Sequence, residues 1–248
     1  MSRLDVHIHA SSSKGNAITV SDGVSTILLD AGLSYNQLAR KVNLNDVEAV
    51  LITHEHADHS KAVPELMRRG IDVYISKGTF EAINPDSPTA ILCRHGIQRE
   101  TANWYVLPFD LDHDAKEPLG FLLQSKNSGK KCLYIVDSAI VEYDFTGVNT
   151  FIIEANYAED IIANGDQKEW LKNRIRTSHF SLQNLKDFLS SSDLSQTEEI
   201  FLVHLSDSNS NEERFRREIM ELTGVPVFTD SDFTPLKPVP IQRVSPSR

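Results

Sequence analysis

Three histidines and an aspartate occur within one six-residue run, His54-Glu55-His56-Ala57-Asp58-His59. Imidazole nitrogens and carboxylate oxygens are ligands of divalent metal ions in proteins. Side chains two residues apart in an extended segment point to the same side, so His54 and His56 can reach one ion. Asp58 and His59 can reach a second ion. A surface turn has no reason to place four such side chains at these offsets, and the run therefore favours a metal-dependent hydrolase.

The segments on either side of this run predict how it is held. Ala49 to Thr53 is a short apolar stretch that is typical of a buried strand. Ser60 to Arg69 can form a helix that ends at Gly70. The candidate ligands are therefore expected at the carboxyl end of a strand and the start of a helix.

Two metal sites need more donors than one loop provides, and later strand ends offer them. His113 follows the apolar segment around Trp104 to Leu107, and Asp137 follows the apolar run that ends at Val136. His204 comes directly after Ile200 to Val203. Asp137 and His204 come straight after a buried run, and His113 lies in the polar stretch Asp110 to Asp114 that follows one, as expected of a site at the edge of a sheet.

Strand and helix patterns alternate along the chain, which predicts an α/β fold in which helices cover two sheets. Strands are predicted near residues 6–9, 17–20, 26–30, 49–53, 71–75, 104–107, 120–123, 131–136, 150–153 and 200–203, with helices at 35–41, 60–69, 77–83, 167–176, 182–189 and from about 212. A hairpin turn is expected at Ser21-Asp22-Gly23, and a loop at 84–88. We expect one domain over residues 1–229 and a proline-containing tail over 230–248.

Composition narrows the class of protein. The chain has 248 residues, 40% of them hydrophobic, which is enough for a sizeable core. Cys93 and Cys132 show no paired spacing, so a disulfide framework or a cysteine zinc site is not expected. No apolar run of about 18 residues and no secretory h-region are present, and a cytoplasmic protein without membrane contact is expected.

The net charge of −10 argues against an extended surface for long nucleic acids, which usually need many basic contacts. One local exception is a cluster on a predicted helix, formed by Lys168, Lys172, Arg174 and Arg176. The cluster is either a basic edge for substrate or an ordinary solvated helix face, and the sequence does not choose between them.

Five motifs together resemble the metallo-β-lactamase fold hydrolases, within the branch that holds tRNase Z and the YycJ (WalJ) enzymes. They are Ser11 to Ala17, Ile27 to Leu33, Thr53 to His59, Glu154-Ala155-Asn156 and His204-Leu205-Ser206. The resemblance covers most of the chain and is more specific for the superfamily than for the substrate. It implies an αββα sandwich and a homodimer.

The same resemblance implies two divalent ions and their ligands. One ion is held by His54, His56 and His113; the other is held by Asp58, His59 and His204; and Asp137 bridges the two. Zinc is expected, with manganese as the alternative, because this mix of donors suits both metals. Two such cations lower the pKa of a water molecule and neutralise phosphate charge.

A second pair of motifs resembles those of tRNase Z, in which a carboxylate orients an imidazole that acts as general acid. The residues here are Glu154 and His179, the latter in Thr177 to Ser181. With Asp58, they form the expected catalytic set, and cleavage of a phosphodiester with a poor leaving group needs such an acid. Ser178 and Tyr157 depart from the family pattern, which often has glycine and histidine there, and leave the exact substrate open.

The remaining polar residues have weaker assignments. Asp30, at a strand end, is expected to support the site rather than to bind metal. Substrate contacts are expected from polar residues in two loops, while His7, His9 and His95 lie outside the scheme. The expected contacts are Ser12, Ser13, Asn16, Ser206 and Asn209.

Two substrates fit a dinuclear phosphodiesterase of this kind. The first is a 3′,5′-cyclic mononucleotide, as in phage anti-Pycsar phosphodiesterases of this fold, and the acidic charge and compact length slightly favour it. The second is a nucleic-acid end, as in YycJ-type 5′-exonucleases. A non-catalytic binding module with a degenerate site is the alternative of another class, and the complete set of donors argues against it.

Overall fold

Two β-sheets pack face to face and are covered by helices in the computed structural model, which describes residues 3–86 and 90–233. Within each sheet, every strand pairs with its neighbour in the chain. The first sheet contains Asp5–Ala10 (β1), Ala17–Ser21 (β2), Thr26–Leu29 (β3), Val47–Leu51 (β4), Val73–Ser76 (β5) and Ala90–Cys93 (β6). The second contains Arg99–Glu100 (β7), Trp104–Asp110 (β8), Leu119–Ser125 (β9), Lys131–Ile135 (β10), Thr150–Glu154 (β11), Glu199–Val203 (β12) and Val227–Phe228 (β13).

Helices connect these strands on the outer faces. They are Tyr35–Lys41 (α1), Ala57–Ser60 (α2), Val63–Arg68 (α3), Lys77–Ile83 (α4), Glu159–Asn164 (α5), Glu169–Ser178 (α6), Leu182–Ser191 (α7) and Glu212–Thr223 (α8), and a 3-10 turn follows at Asp230–Phe233. No helix among residues 3–86 and 90–233 is long and apolar enough to cross a lipid bilayer.

Three apolar layers explain why the elements stack in this order. The layer between the sheets joins residues of both, such as Val20 of β2 and Phe121 of β9. The outer face of the first sheet buries Leu38 and Leu66 from α1 and α3, and that of the second buries residues of α7 and α8. Because a sheet with two covered faces has no polar side, β11 and β12 are buried along their whole length. The predicted αββα sandwich is confirmed.

The strands that carry polar residues at their carboxyl ends are parallel in both sheets. β3 to β6 are mutually parallel, and so are β10 to β13. Side chains after these strands therefore gather at one edge of each sheet. The two edges lie together, because the Tyr134 hydroxyl of β10 donates to Asp30 Oδ2 after β3 at 2.7 Å.

Several elements differ from those predicted from the sequence. The single helix expected over 60–69 is two helices, α2 and α3, and α2 begins early enough to include Asp58 and His59. The strands β6, β7 and β13 and the helix α5 were not expected, because two to six residues are too few to show a clear hydrophobic period. Part of the loop predicted at 84–88 and residues 234–248 of the predicted tail lie outside the described residues. Phe233, just before them, packs against Phe201.

Gly32 lets the loop after β3 approach the metal-motif helix α2. The Ala31 amide donates to the His59 carbonyl at 2.7 Å, and the Asn16 amide donates to the Asp58 carbonyl at 2.7 Å. A Cβ at position 32 would lie 1.6 Å from the Asp58 carbonyl oxygen, far inside van der Waals contact. Only glycine fits between these backbone segments.

We expect Gly32→Ala to lower the free energy of unfolding by about 3 kcal/mol or more, because backbone on both sides must shift to admit the methyl group. Chemical denaturation followed by circular dichroism measures this. Gly165→Ala is the matched control, since its Cβ would meet nothing closer than 3.5 Å and its φ of −77° suits any residue. Equal stability of the two variants would contradict the close approach.

Candidate metal centre and active site

Seven histidine and aspartate side chains from the two sheets converge at the shared edge. They form two groups of three whose donor atoms lie within 4.8 Å of one another, and Asp137 lies within the same distance of His54 and His59. The first group is His54, His56 and His113, and the second is Asp58, His59 and His204. These are the sets that the sequence resemblance implied.

The first group has the spacing of nitrogens around one ion. His56 Nδ1 lies 3.0 Å from His54 Nε2 and 3.2 Å from His113 Nε2. Nitrogens bonded at about 2.05 Å to a tetrahedral ion lie roughly 3.3 Å apart. Burial and the nearby His59 hold the pKa of His54 well below 6.5, so its imidazole is neutral and can bind a cation. The residues fit a metal ion.

The second group contains a buried nitrogen that lacks a partner. His204 Nε2 has no hydrogen-bond partner among the described residues and lies 3.9 Å from Asp58 Oδ2. His59 Nε2 lies 3.6 Å from the same oxygen. Leaving a buried polar atom unpaired costs about 1–3 kcal/mol, a cost that a bound cation would remove.

Asp137 lies between the two groups. Its Oδ2 is 2.7 Å from His59 Nε2 and 3.6 Å from His54 Nε2. Burial would raise its pKa, but positive charge on His204 and His59 outweighs this effect and holds the pKa well below 3.8. An ionised carboxylate at this depth requires positive charge around it. Protonated histidines supply that charge here, and bound metal ions would supply it equally.

Three residues at the strand ends have left-handed backbones that side chains other than glycine seldom adopt. They are Asp30 after β3, Asp137 after β10 and His204 after β12, with φ values of 56°, 51° and 53°. Such backbones cost about 1–3 kcal/mol each and persist where the surrounding structure enforces them. Here they turn the chain sharply at the end of the strand and aim each side chain at the site.

Asp30 holds His59 from behind. Its Oδ2 accepts from His59 Nδ1 at 2.7 Å and from the Tyr134 hydroxyl, and its Oδ1 accepts from the Thr53 amide at 2.9 Å. With Nδ1 taken up by Asp30, His59 presents Nε2 to Asp137. The supporting role expected of Asp30 agrees with this position.

His113 is oriented by the end of α6. Its Nδ1 donates to the Ser178 carbonyl at 2.9 Å, which leaves Nε2 facing His56. A ring nitrogen fixed in this way sets both the tautomer and the direction of the metal-facing nitrogen. Ser178, at a position where the family often has glycine, contributes its backbone here, and its side-chain hydroxyl bonds to the Arg174 carbonyl.

Glu154, fully buried at the end of β11, contacts two histidines at once. Its Oε1 lies 2.8 Å from His179 Nδ1 and 2.7 Å from His204 Nδ1. Its Oε2 accepts from the Phe180 amide at 2.9 Å, which fixes the carboxylate. The sequence predicted the contact with His179 but not the one with His204.

The environment of His179 favours its protonated form. Burial alone would lower its pKa, but the carboxylates of Glu154 and Asp137 outweigh burial and raise the pKa to about 9. Because Nδ1 is bound by Glu154, Nε2 is the nitrogen left to meet a substrate. His179 can therefore hold a proton at neutral pH and deliver it to a group in the cavity.

A cavity of about 410 Å³ opens above the donor groups. Its floor holds candidate metal donors and His179, and one wall is the inward face of α6. The residues that line it are Ser13, His56, Ala57, Asp58, His113, Asp137, Leu171, Arg174, Ile175, Ser178, His179 and His204. Leu171 and Ile175 were not predicted for the site, whereas Arg174 was named in the basic cluster as one of two open interpretations. The spacing of three and four residues on a predicted helix was the available signal for this face.

The five residues expected to contact substrate lie in three different places: the cavity above the donors, a neighbouring cavity and the protein interior. Ser13 lines the cavity above the donors, whereas Ser12 and Ser206 line a neighbouring cavity of about 510 Å³. Asn16 and Asn209 are buried. Asn16 Nδ2 lies 3.0 Å from His59 Nε2, and Asn209 Nδ2 donates to the Ser206 hydroxyl.

The basic cluster on α6 is largely engaged within the protein. Lys172 is buried and donates to the Ala163 carbonyl, and Arg176 pairs with Glu159 and Glu169. Arg174 pairs with Asp114 at 3.0 Å beside the cavity. Lys168 is exposed just before α6 and does not line the cavity. Of the four residues, Arg174 alone lines the site.

Residues 25–205 match the family model of the Beta-lactamase superfamily domain. The chain belongs to this superfamily. It is 29% identical to exodeoxyribonuclease YycJ of Bacillus anthracis in an alignment that spans 97% of this chain and 99% of that protein. This relative confirms the resemblance to the YycJ branch.

Solved structures share the fold. The metallo-β-lactamase fold protein YhfI from Bacillus subtilis superposes with a TM-score of 0.69 at 14% identity, over 92% of this chain and 97% of that one. The short form of human tRNase Z superposes with a TM-score of 0.58 at 16% identity, over 90% of this chain and 95% of that one. The similarity to tRNase Z expected from the sequence is thus confirmed at the level of the fold.

We expect Asp30→Asn to weaken metal binding at the second donor group by about 10- to 100-fold. Asp30 accepts hydrogen bonds from His59 Nδ1, the Tyr134 hydroxyl and the Thr53 amide, and the side-chain NH2 of an asparagine cannot accept them, so the His59 ring would lose its orientation. Competition with a chromophoric chelator measures the affinity. Tyr134→Phe is the matched control, since it removes one donor to Asp30 and keeps the contact with His59. His204→Ala, which removes a candidate ligand of the same group, calibrates the loss. Unchanged affinity in Asp30→Asn would refute the supporting role.

Proposed function

We propose that this metal-dependent hydrolase cleaves phosphodiester bonds in DNA from a strand end. The observation that carries the proposal is the Glu154–His179 contact of 2.8 Å at the edge of the paired donor groups. A phosphodiester has a poor leaving group that needs a proton, and this pair can supply it. The relative YycJ, an exodeoxyribonuclease that aligns over nearly the whole chain, supports DNA as the substrate.

Two divalent ions are proposed as cofactors that the two donor groups would hold, with Asp137 between these groups as a further donor. The close nitrogens of the first group and the unpartnered His204 Nε2 of the second support this assignment. The ions, when bound, would lower the pKa of a water molecule and neutralise phosphate charge. Zinc is proposed because imidazoles outnumber carboxylates in the donor set, and manganese is the alternative.

The protein side chains supply positioning and proton transfer. Glu154 fixes the His179 ring, and His179, protonated at neutral pH because of the carboxylates beside it, donates its proton to the leaving oxygen as the bond to phosphorus breaks. The inward face of α6 and Ser13 confine the substrate above the donors. After this transfer, the negative charge of Glu154 favours uptake of a new proton by the neutral His179 ring.

A 3′,5′-cyclic mononucleotide stays as the second candidate. The net charge of −10 suits a small substrate better than a long polyanion. A single nucleotide is of a size that the cavity of about 410 Å³ can hold. The parallel with anti-Pycsar phosphodiesterases, the homodimer and the cytoplasmic location stay predictions. A non-catalytic module is not favoured, because all seven donors converge.

Incubation with end-labelled single-stranded DNA, duplex DNA and RNA, and separately with 3′,5′-cyclic mononucleotides, tests the proposal. We expect stepwise shortening of DNA with zinc or manganese present, and its loss in EDTA and in Asp137→Ala. Chromatography and denaturing gels separate the products. Hydrolysis of cyclic mononucleotides alone would reject the DNA substrate in favour of the second candidate, and no hydrolysis by the metal-loaded protein would reject both.

We expect His179→Ala to slow DNA cleavage by about 10²- to 10⁴-fold, the usual contribution of a general acid. Bis(p-nitrophenyl) phosphate should be hydrolysed at nearly the wild-type rate, because nitrophenolate leaves without a proton. Steady-state rates on both substrates, with metal content checked in each preparation, provide the measurement. Equal losses on the two substrates would show that His179 is not the proton donor.

A further inference from the structure

We propose that α6 is the binding platform for single-stranded DNA, on which Trp170 stacks against a base and Arg174 contacts a phosphate as the strand enters the cavity. The inference rests on the proposed function and specifies its substrate as a single strand. It assigns two residues that lie outside the metal donors and the Glu154–His179 pair.

Arg174 lines the cavity, and Trp170 lies beside it on the adjoining surface of α6. Leu171, Arg174, Ile175 and Ser178 line the cavity, at spacings of three, four and seven residues that define one helix face. Trp170 precedes Arg174 by four residues, so the two side chains are neighbours on the helix surface. Trp170 is therefore next to the cavity-lining face of α6, although it does not itself line the cavity.

Trp170 is 64% exposed, although indole is among the side chains that gain most from burial. The other tryptophan, Trp104, is fully buried. An exposed aromatic ring beside a nuclease cavity can stack on any base, since every base has a π-face. Next to it, Leu171 and Ile175 give the terminal nucleotide an apolar wall.

Arg174 is held in place by an acidic residue next to a metal donor. Its Nε and Nη2 both lie 3.0 Å from Asp114 Oδ2, while Asp114 Oδ1 is 3.3 Å from His113 Nε2. The side chain of Arg174 is still 57% exposed. Asp114 thus occupies one edge of the guanidinium and leaves the other edge available to a phosphate close to the donor groups.

The charge of the protein favours a single strand over a duplex. Duplex DNA presents a dense, rigid array of phosphates and is bound mainly through many basic contacts, which a net charge of −10 does not favour. On α6, Lys172 and Arg176 are already engaged within the protein. Stacking needs no net positive charge. We therefore expect affinity to come chiefly from Trp170, with a shallow dependence on salt.

Tryptophan fluorescence tests the platform directly, because Trp170 and Trp104 are the two tryptophans of the chain. Metal-loaded protein is titrated with phosphorothioate oligothymidine, which resists cleavage. We expect quenching of the exposed component and weaker quenching by the matching duplex. Trp170→Phe should remove most of the quenching while retaining binding by fluorescence anisotropy. Binding without quenching in the wild-type protein would overturn the stacking contact.

Variants separate the two contacts. Trp170→Ala should raise the Kd for the oligonucleotide roughly 5- to 100-fold, the effect expected of one lost stacked base. Arg174→Ala should reduce the slope of log K against log salt concentration by about 0.7, the value for one phosphate on a single strand. Unchanged Kd and salt slope would refute the assignments.

Surface residues elsewhere provide matched controls. Arg68 pairs with Glu65 on α3, as Arg174 pairs with Asp114, and Tyr105 on β8 is an exposed aromatic residue. Arg68→Ala and Tyr105→Ala should leave Kd and the salt slope unchanged, and equal effects from these variants would argue against a defined platform. If DNA were cleaved but these binding results failed, the platform alone would be rejected; absence of DNA cleavage would instead reject the proposed function.

Discussion

The whole site depends on one buried carboxylate, Asp137, between two groups of histidines. A charge at that depth is tolerated only when cations surround it, and the surrounding residues are arranged to supply them. The left-handed backbone at this position turns the side chain inward at the end of β10. Asp30 and Glu154 then fix the rings of His59 and of the other two histidines nearest to Asp137.

Glu154 would couple proton transfer at His179 to metal binding at His204. The same oxygen contacts His179, the candidate acid, and His204, a candidate ligand. A change in the charge of one ring therefore alters the electrostatic environment of the other through a carboxylate that two backbone amides hold in place. This arrangement explains why a glutamate, and not a neutral side chain, ends β11.

The donors were predictable from the sequence because each follows an apolar run, as His113, Asp137 and His204 do. The sandwich was predictable from alternating strands and from the family motifs. The double contact of Glu154 was not, because it depends on how β11 and β12 lie side by side. The α6 wall was missed for a similar reason: amphipathic spacing shows that a helix has a face, but only packing shows what that face covers.

The division of the donors between the sheets has a consequence for folding. Each three-residue group takes two donors from the segment after β4 and one from a segment after a strand of the second sheet, His113 or His204. A bound ion would therefore join the two halves of the sandwich as a cross-link that no stretch of the chain can form alone. Metal at about 1,000 times its Kd would add roughly 4 kcal/mol to the stability of the assembled halves. The concentration of free metal would then set the stability of the fold as well as the activity of the site.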